Sequence, residues 1–449
     1  MLNILRYKSE KIIKGALNMN IKRKILIKLN RINNLEVEHK NLSLPFYHGQ
    51  HNSFLSNISL VPVISSAYQL PPKNNMNSIS INCHELNKYY YLNLPDNNIY
   101  SLDNLITILK QHPDIEYVQT VPIQPIEPPN ITPDFTQYQQ YLYEPEKTVN
   151  INKIIGLGVL GAWKQEAYGQ GVQVADIEWD FNLSHHDLST DNITSLLPFN
   201  EKTSQADHGT AVAGLIMGKK DGKGITGLAY KLDMFYAISE LTCGRIDAII
   251  ASKRILHAGD IVLYEMQTIC EHQAYVPADY EMHIWEATRA LTDAGIIVIM
   301  AAGNGGVDLD LPAYESYRQR NDNNSIRVGA GSPYTLNRLP FSTHGSPIHV
   351  QAWGEDVATA GYGDLFRSDD NHTYTANFSG TSSASALVAG AAAVIQSWYK
   401  NHTNSVLTPI QMRDLLIRTG TFPQLNDKIG PLPNVNNAIL YLKKRIKYH

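Results

Sequence analysis

Four short stretches of the chain carry side chains suited to acyl transfer. "VADIEWDFNLSHHDL" (174–188) opens as an apolar strand interrupted by Asp176 and Glu178, two residues apart and therefore on one strand face. "DHGTAVAGLIMG" (207–218) sets His208 ahead of Gly209, Thr210 and an apolar helix, so its imidazole can stand at a helix N-terminus facing a cleft. "IIVIMAAGNGG" (296–306) reads as a buried strand with the Asn304 amide at its carboxyl edge. "NFSGTSSASALVAGAAAV" (377–394) puts Ser382 behind Gly380 and Thr381 at a helix start, where free backbone N–H groups can hold an oxyanion. A carboxylate, an imidazole, an amide donor and a hydroxyl form the set required for nucleophilic acyl transfer. Singly, each has an ordinary structural use. Together, each at a strand–helix junction, they form one chemical apparatus.

The elements that must position them follow from hydrophobic periodicity. Strands are expected over 172–177, 231–237, 260–266, 296–301 and 326–330. Helices are expected over 209–217, 246–258, 279–294, 381–399, 408–419 and 435–446. Alternating strands and helices predict an α/β fold with a parallel sheet covered on both faces and a site at the carboxyl ends of the strands. This domain occupies 150–449. Ahead of it, 76–122 reads as a small α/β module, with a helix in "SLDNLITILKQHP" capped by Ser101 and a strand in "DIEYVQTVPI". Residues 123–149 read as a proline-rich linker, and 1–75 as a poorly ordered basic leader.

Composition narrows the class further. The net charge of −4 argues against a generally nucleic-acid-binding surface, and three cysteines exclude a disulfide-stapled scaffold. No apolar run is long enough to span a membrane. The basic N-terminal stretch lacks the apolar core of a secretory signal, which leaves an intracellular location or export by another route. "GLGVLG" (156–161) fits a dinucleotide-binding pattern, but too few residues follow it for a crossover helix.

"HGTAVAG", "AAGN" and "GTSSAS" resemble the histidine, oxyanion-hole and serine segments of the subtilisin-like serine proteases (subtilases), and "GPLPNVNNAILYL" (430–442) resembles the end of that domain. The resemblance covers 150–449. It implies a three-layer α/β/α sandwich and a serine endopeptidase with His208 as general base, Ser382 as nucleophile and Asn304 in the oxyanion hole. It also implies that the 76–122 module and its linker are an inhibitory propeptide, that the partners are a protein or peptide substrate and this module, and that structural calcium belongs to the fold. No motif locates a calcium site.

The chain departs from the family at the triad acid. Ungapped alignment of "SHHDL" (184–188) with the family's His-x-Asp-Leu tail puts Glu178 at the aspartate position and Asp176 two residues earlier. Glu178 is expected to orient His208, with Asp176 supporting it from below or taking its place. His185, His186 and Asp187 are expected to form a turn, since no third spaced ligand is evident. Tyr264, Glu265 and Met266 align with a Ser-Leu-Gly strand that lines the substrate cleft, so Glu265 is expected to favour a basic or polar substrate side chain. Ser385-Ala386-Leu387 replaces Thr-Pro-His. The competing expectation is a pseudoprotease, a binding module retaining the fold.

Overall fold

A computed structural model describes residues 23–30, 59–62, 88–93, 102–122, 132–145, 147–149, 152–196, 205–425 and 427–446. The chain divides into two compact units, Met1–Pro129 and Asn130–His449.

In the first unit the strands are β1 (Arg23–Leu29), β2 (Ser59–Pro62), β3 (Tyr89–Asn93) and β4 (Ile115–Pro122), with helix α1 at Leu102–Lys110. The sheet order is β2-β3-β1-β4, and every pairing is antiparallel. Composition placed 23–29 and 59–62 in a poorly ordered leader; that expectation is corrected. In "RKILIKL" Ile25, Ile27 and Leu29 share one strand face opposite Lys24 and Lys28, and Ile25 and Ile27 are buried with Leu92, Leu105, Leu109 and Val118. The asparagine-rich surroundings masked this short period-2 signal. Ser101, expected as a cap, lies outside the described residues.

The second unit contains β5 (Gln173–Glu178), β6 (Ile193–Ser195), α2 (Ala206–Met217), β7 (Met234–Ser239), α3 (Arg245–Ile255), β8 (Ile261–Tyr264), α4 (Met282–Asp293), β9 (Ile297–Ala301), β10 (Ile326–Gly331), β11 (Val350–Trp353), α5 (Thr381–Thr403), α6 (Pro409–Thr419) and α7 (Val435–Ile446). Seven parallel strands lie in the order β11-β10-β9-β8-β5-β7-β6. Strand alternation sorts the side chains. Val174, Ile261, Leu263, Ile299 and Val328 pack in one core with α2, α5 and α7. Ala175, Ile177, Val262, Tyr264 and Val298 pack in another with α3 and α4. The result is the three-layer α/β/α sandwich.

Residues 132–145, expected in the linker, belong to this second unit. Tyr141 is fully buried in its main core and hydrogen-bonds the Ala358 carbonyl at 2.8 Å; Phe135 is buried against Tyr374.

Two features matter for the site. All of α5 from Thr381 to Trp398 is buried. Its Ser, Ala and Gly side chains allow this, because small residues let a helix axis approach its neighbours closely. Gly209 in α2 has no room for a side chain, since a Cβ would lie 2.3 Å from the Asp180 carbonyl oxygen. That contact sets His208, the preceding residue, directly over the end of β5.

Candidate active site

Asp176 and Glu178 share the sheet face of Val174, the face covered by α2 and α5. Glu178 ends β5, is almost wholly buried, and meets His208 in the first turn of α2: Nδ1–H donates to Glu178 Oε1 at 2.5 Å. Its second oxygen accepts the Trp179 N–H at 2.9 Å. The His208 side chain is 22% exposed, framed by the Trp179 ring at 5.6 Å and the Phe378 ring at 5.4 Å. Burial works against a charged imidazole, but the Glu178 carboxylate outweighs it and lifts the His208 pKa to about 9.

Asp176 lies one strand pair deeper. It is fully buried, and neither carboxyl oxygen has a hydrogen-bond partner among the described residues. Burial, then the charges of Glu178 and Glu265, push its pKa well above the ordinary carboxyl value. Both effects favour the protonated acid, and no hydrogen bond joins Asp176 to His208 among the described residues.

Ser382 is the second residue of α5 and 7% exposed. Asn304 lies three residues beyond β9 and is fixed from both sides. Its backbone N–H donates to Gln267 Oε1 at 2.9 Å, and its Oδ1 accepts the Thr381 N–H at 2.9 Å and the Thr381 hydroxyl at 3.0 Å. With Oδ1 engaged, Nδ2 is the group left to donate. Gly380 (φ +100°) turns the chain between them, and a Cβ there would stand 3.3 Å from Nδ2. Ser382, His208, Glu178, Asn304 and Gly380 all line one cleft of about 910 Å³ at the carboxyl end of the sheet.

Met266 and Glu265 also line this cleft; Tyr264 does not. As the last residue of β8, Tyr264 takes the opposite parity and is fully buried in the core under α3 and α4. Its expected substrate contact is corrected. Glu265 is 6% exposed. One of its oxygens, one from Glu178 and one His208 nitrogen lie within 4.8 Å of one another. Sequence reasoning missed this clustering, together with the supporting groups Gln267, Thr381 and Ser385.

Residues 183–188 form the expected turn, yet a third spaced ligand exists. His186 Nε2 lies 3.2 Å from Asp221 Oδ2 and 4.0 Å from Asp187 Oδ1. Asp187 is fully buried, its Oδ1 accepts no hydrogen bond among the described residues, and burial raises its pKa to about 7. One imidazole and two carboxylates do not by themselves make the shell of six to eight oxygens that calcium takes.

Comparison with known proteins identifies the family. Residues 169–436 match a family model described as the subtilase family. Subtilisin BL of Lederbergia lenta is 28% identical over 256 residues, covering 56% of this chain and 84% of its own. The thermophilic serine proteinase of Bacillus sp. (strain AK1) is 26% identical over 356 residues, covering 76% and 77%. A solved protease of Pseudoalteromonas arctica superposes with a TM-score of 0.50 at 21% identity, covering 69% of this chain and 99% of that one. With the family model spanning more than half of its residues, the chain belongs to the subtilase family, as a subtilisin-like serine protease.

Proposed function

We propose that the protein hydrolyses peptide bonds through an acyl-enzyme on Ser382. His208 takes the Ser382 proton as Oγ attacks the scissile carbonyl, and returns it to the departing amine. Glu178 accepts the Nδ1–H, which fixes the tautomer and stabilises the imidazolium that forms. Asn304 Nδ2 and the Ser382 backbone N–H receive the developing oxyanion. Water, activated by the same imidazole, then releases the acyl group.

The observation that carries the reading is the short His208–Glu178 hydrogen bond in the cleft that also holds Ser382 and Asn304. Glutamate is about one methylene (~1.5 Å) longer than aspartate and reaches the imidazole from its position at the end of β5. The first unit, an antiparallel sheet with one helix, is read as a propeptide that makes the protein a zymogen. Incubating the purified full chain with a fluorophosphonate probe tests the peptidase reading. Labelling is expected for the wild type and for Asp176→Asn, and none for Ser382→Ala. A wild type that stays unlabelled at every pH, both as the full chain and after limited proteolysis of the first unit, overturns the reading.

A further inference from the structure

Glu265 is an acid of this cluster that the proposed chemistry does not use. It directly follows β8, and its N–H donates to the Ile177 carbonyl at 3.3 Å, so its side chain lies beside Glu178 on the face below α5. Oε1 accepts the Ser385 hydroxyl at 2.8 Å; Oε2 is buried with no hydrogen-bond partner among the described residues. Asp176 and Glu178 face it from β5, His208 from α2, and the neutral Ser382 and Ser385 from α5. Across the cleft stand Glu240, Arg245 and Glu281. Arg245 is committed to those two glutamates, at 2.8 Å and 3.4 Å. Three inner acids therefore share His208 as their nearby cation, and closely spaced carboxylates do not all ionise.

We propose that Glu265 must carry a proton for turnover, and that its ionised form shuts the site down from the alkaline side. The inference rests on Ser382 and His208 being nucleophile and base. A Glu265 carboxylate would accept the Ser382 O–H in competition with His208, and would set a negative charge beside the forming oxyanion. A protonated Glu265 does neither. Burial and the Glu178 charge raise its pKa to about 8, against the opposing pull of His208 and the two serine hydroxyls.

The proton count is explicit. At low pH, His208 is an imidazolium and Glu265 is protonated, so no base is available. Loss of one proton from this pair gives two arrangements in exchange: an imidazolium beside a Glu265 carboxylate, which predominates because the His208 value (about 9) lies above that of Glu265 (about 8), and the active one, a neutral imidazole with the remaining proton on Glu265. Loss of the second leaves a neutral imidazole beside a Glu265 carboxylate, the silent form. Glu265 acts through Ser382 and His208 and is a positioning residue.

The test is the rate of fluorophosphonate labelling of the full chain across pH 5–10. Wild type is expected to give a bell, its alkaline limb falling ~tenfold per pH unit. Glu265→Gln keeps an acceptor for Ser385 but cannot ionise. Its alkaline limb should vanish, while on the acid side its rate should follow that of wild type, because Glu265 is already protonated there. Ser385→Ala removes a hydrogen bond to the carboxylate, so its alkaline limb should move to higher pH; this variant carries the test where Glu265→Gln fails to fold. A wild type that labels, with a bell unchanged in both variants, overturns this inference and leaves the peptidase reading standing. A wild type that labels at no pH, before or after limited proteolysis of the first unit, overturns both.

Discussion

The neighbouring acids Asp176 and Glu178 have opposite tasks, and substitution separates them. Glu178→Ala removes the acceptor for the His208 Nδ1–H and leaves the imidazole free to rotate. A loss in kcat on the order of 10⁴-fold is expected, the scale seen when a triad acid alone is removed. Asp176→Asn replaces a neutral buried acid by a neutral isostere. Activity within about twofold of wild type is expected, with stability changed by less than ~1 kcal/mol. Comparable losses in the two variants, measured on one peptide substrate, would reverse the assignment. The sequence already pointed to Glu178 through its spacing from "SHHDL". The role of Glu265 was not legible, because its partners are distant in sequence: Glu178 lies 87 positions before it and Ser385 lies 120 after. Only the parallel pairing of β8 with β5 brings the carboxyls together.

At the scale of elements, two glycines hold the machinery in place. Gly209→Ala would drive a methyl into the Asp180 carbonyl and the Phe181 ring. α2 must then shift, lengthening the His208–Glu178 contact, so kcat should fall while the folded protein persists by circular dichroism. Gly380→Ala combines a positive φ with a Cβ against Asn304 Nδ2. Displacing an oxyanion donor costs about 10²–10³ in kcat with KM little changed, which steady-state kinetics would register. The long periodic helices were legible, and their ends agree with the sequence reading to within a few residues: α5 runs through 381–403 against an expected 381–399. The short strands β6 and β11 were not. β6 has three residues and offers no period to detect; β11, "VQAW", has four residues, with a polar Gln351 among them, too few to set a pattern. The opposite orientation of Tyr264 and Glu265 was implicit in strand alternation, but becomes usable only once the packed face of β8 is known.

Across the whole molecule, catalysis and stability pull toward different pH. Asp176, Asp187 and Glu265 all have folded pKa values above their unfolded ones, the latter two at about 7 and about 8. The stability each contributes is fully present below the ordinary carboxyl value near 4, and is lost as pH rises through the folded value. Asp279 has the opposite sign. Burial opposes its charge, but Arg327 prevails and holds its pKa low, so its contribution is lost on acidification. Thermal unfolding of Ser382→Ala, chosen to prevent self-digestion, should therefore show a maximum on the mildly acidic side and a falling midpoint between pH 5 and 9. A midpoint that rises over this range would contradict the assignment of protons to the buried acids. Asp279 also accepts hydrogen bonds from Tyr317 at 2.7 Å and Asn323 at 2.8 Å, tying the segment before α4 to the segment that leads into β10. Asp279→Asn, which strands the buried Arg327 charge, should cost about 3–5 kcal/mol in denaturant titration.

The strand order of the first unit also bears on the sequence of events during synthesis. β1 emerges from the ribosome before every other described strand, yet its sheet neighbours are β3 and β4, which begin 60 and 86 residues beyond its end. Ile25 and Ile27 therefore wait without partners until the chain has reached β3, and their sheet is complete only at residue 122. Closing such wide loops makes this sheet a late and comparatively slow event. Shortening the chain from its front to residue 76 would not trim a loose leader; it would remove the strand around which the rest of that sheet closes.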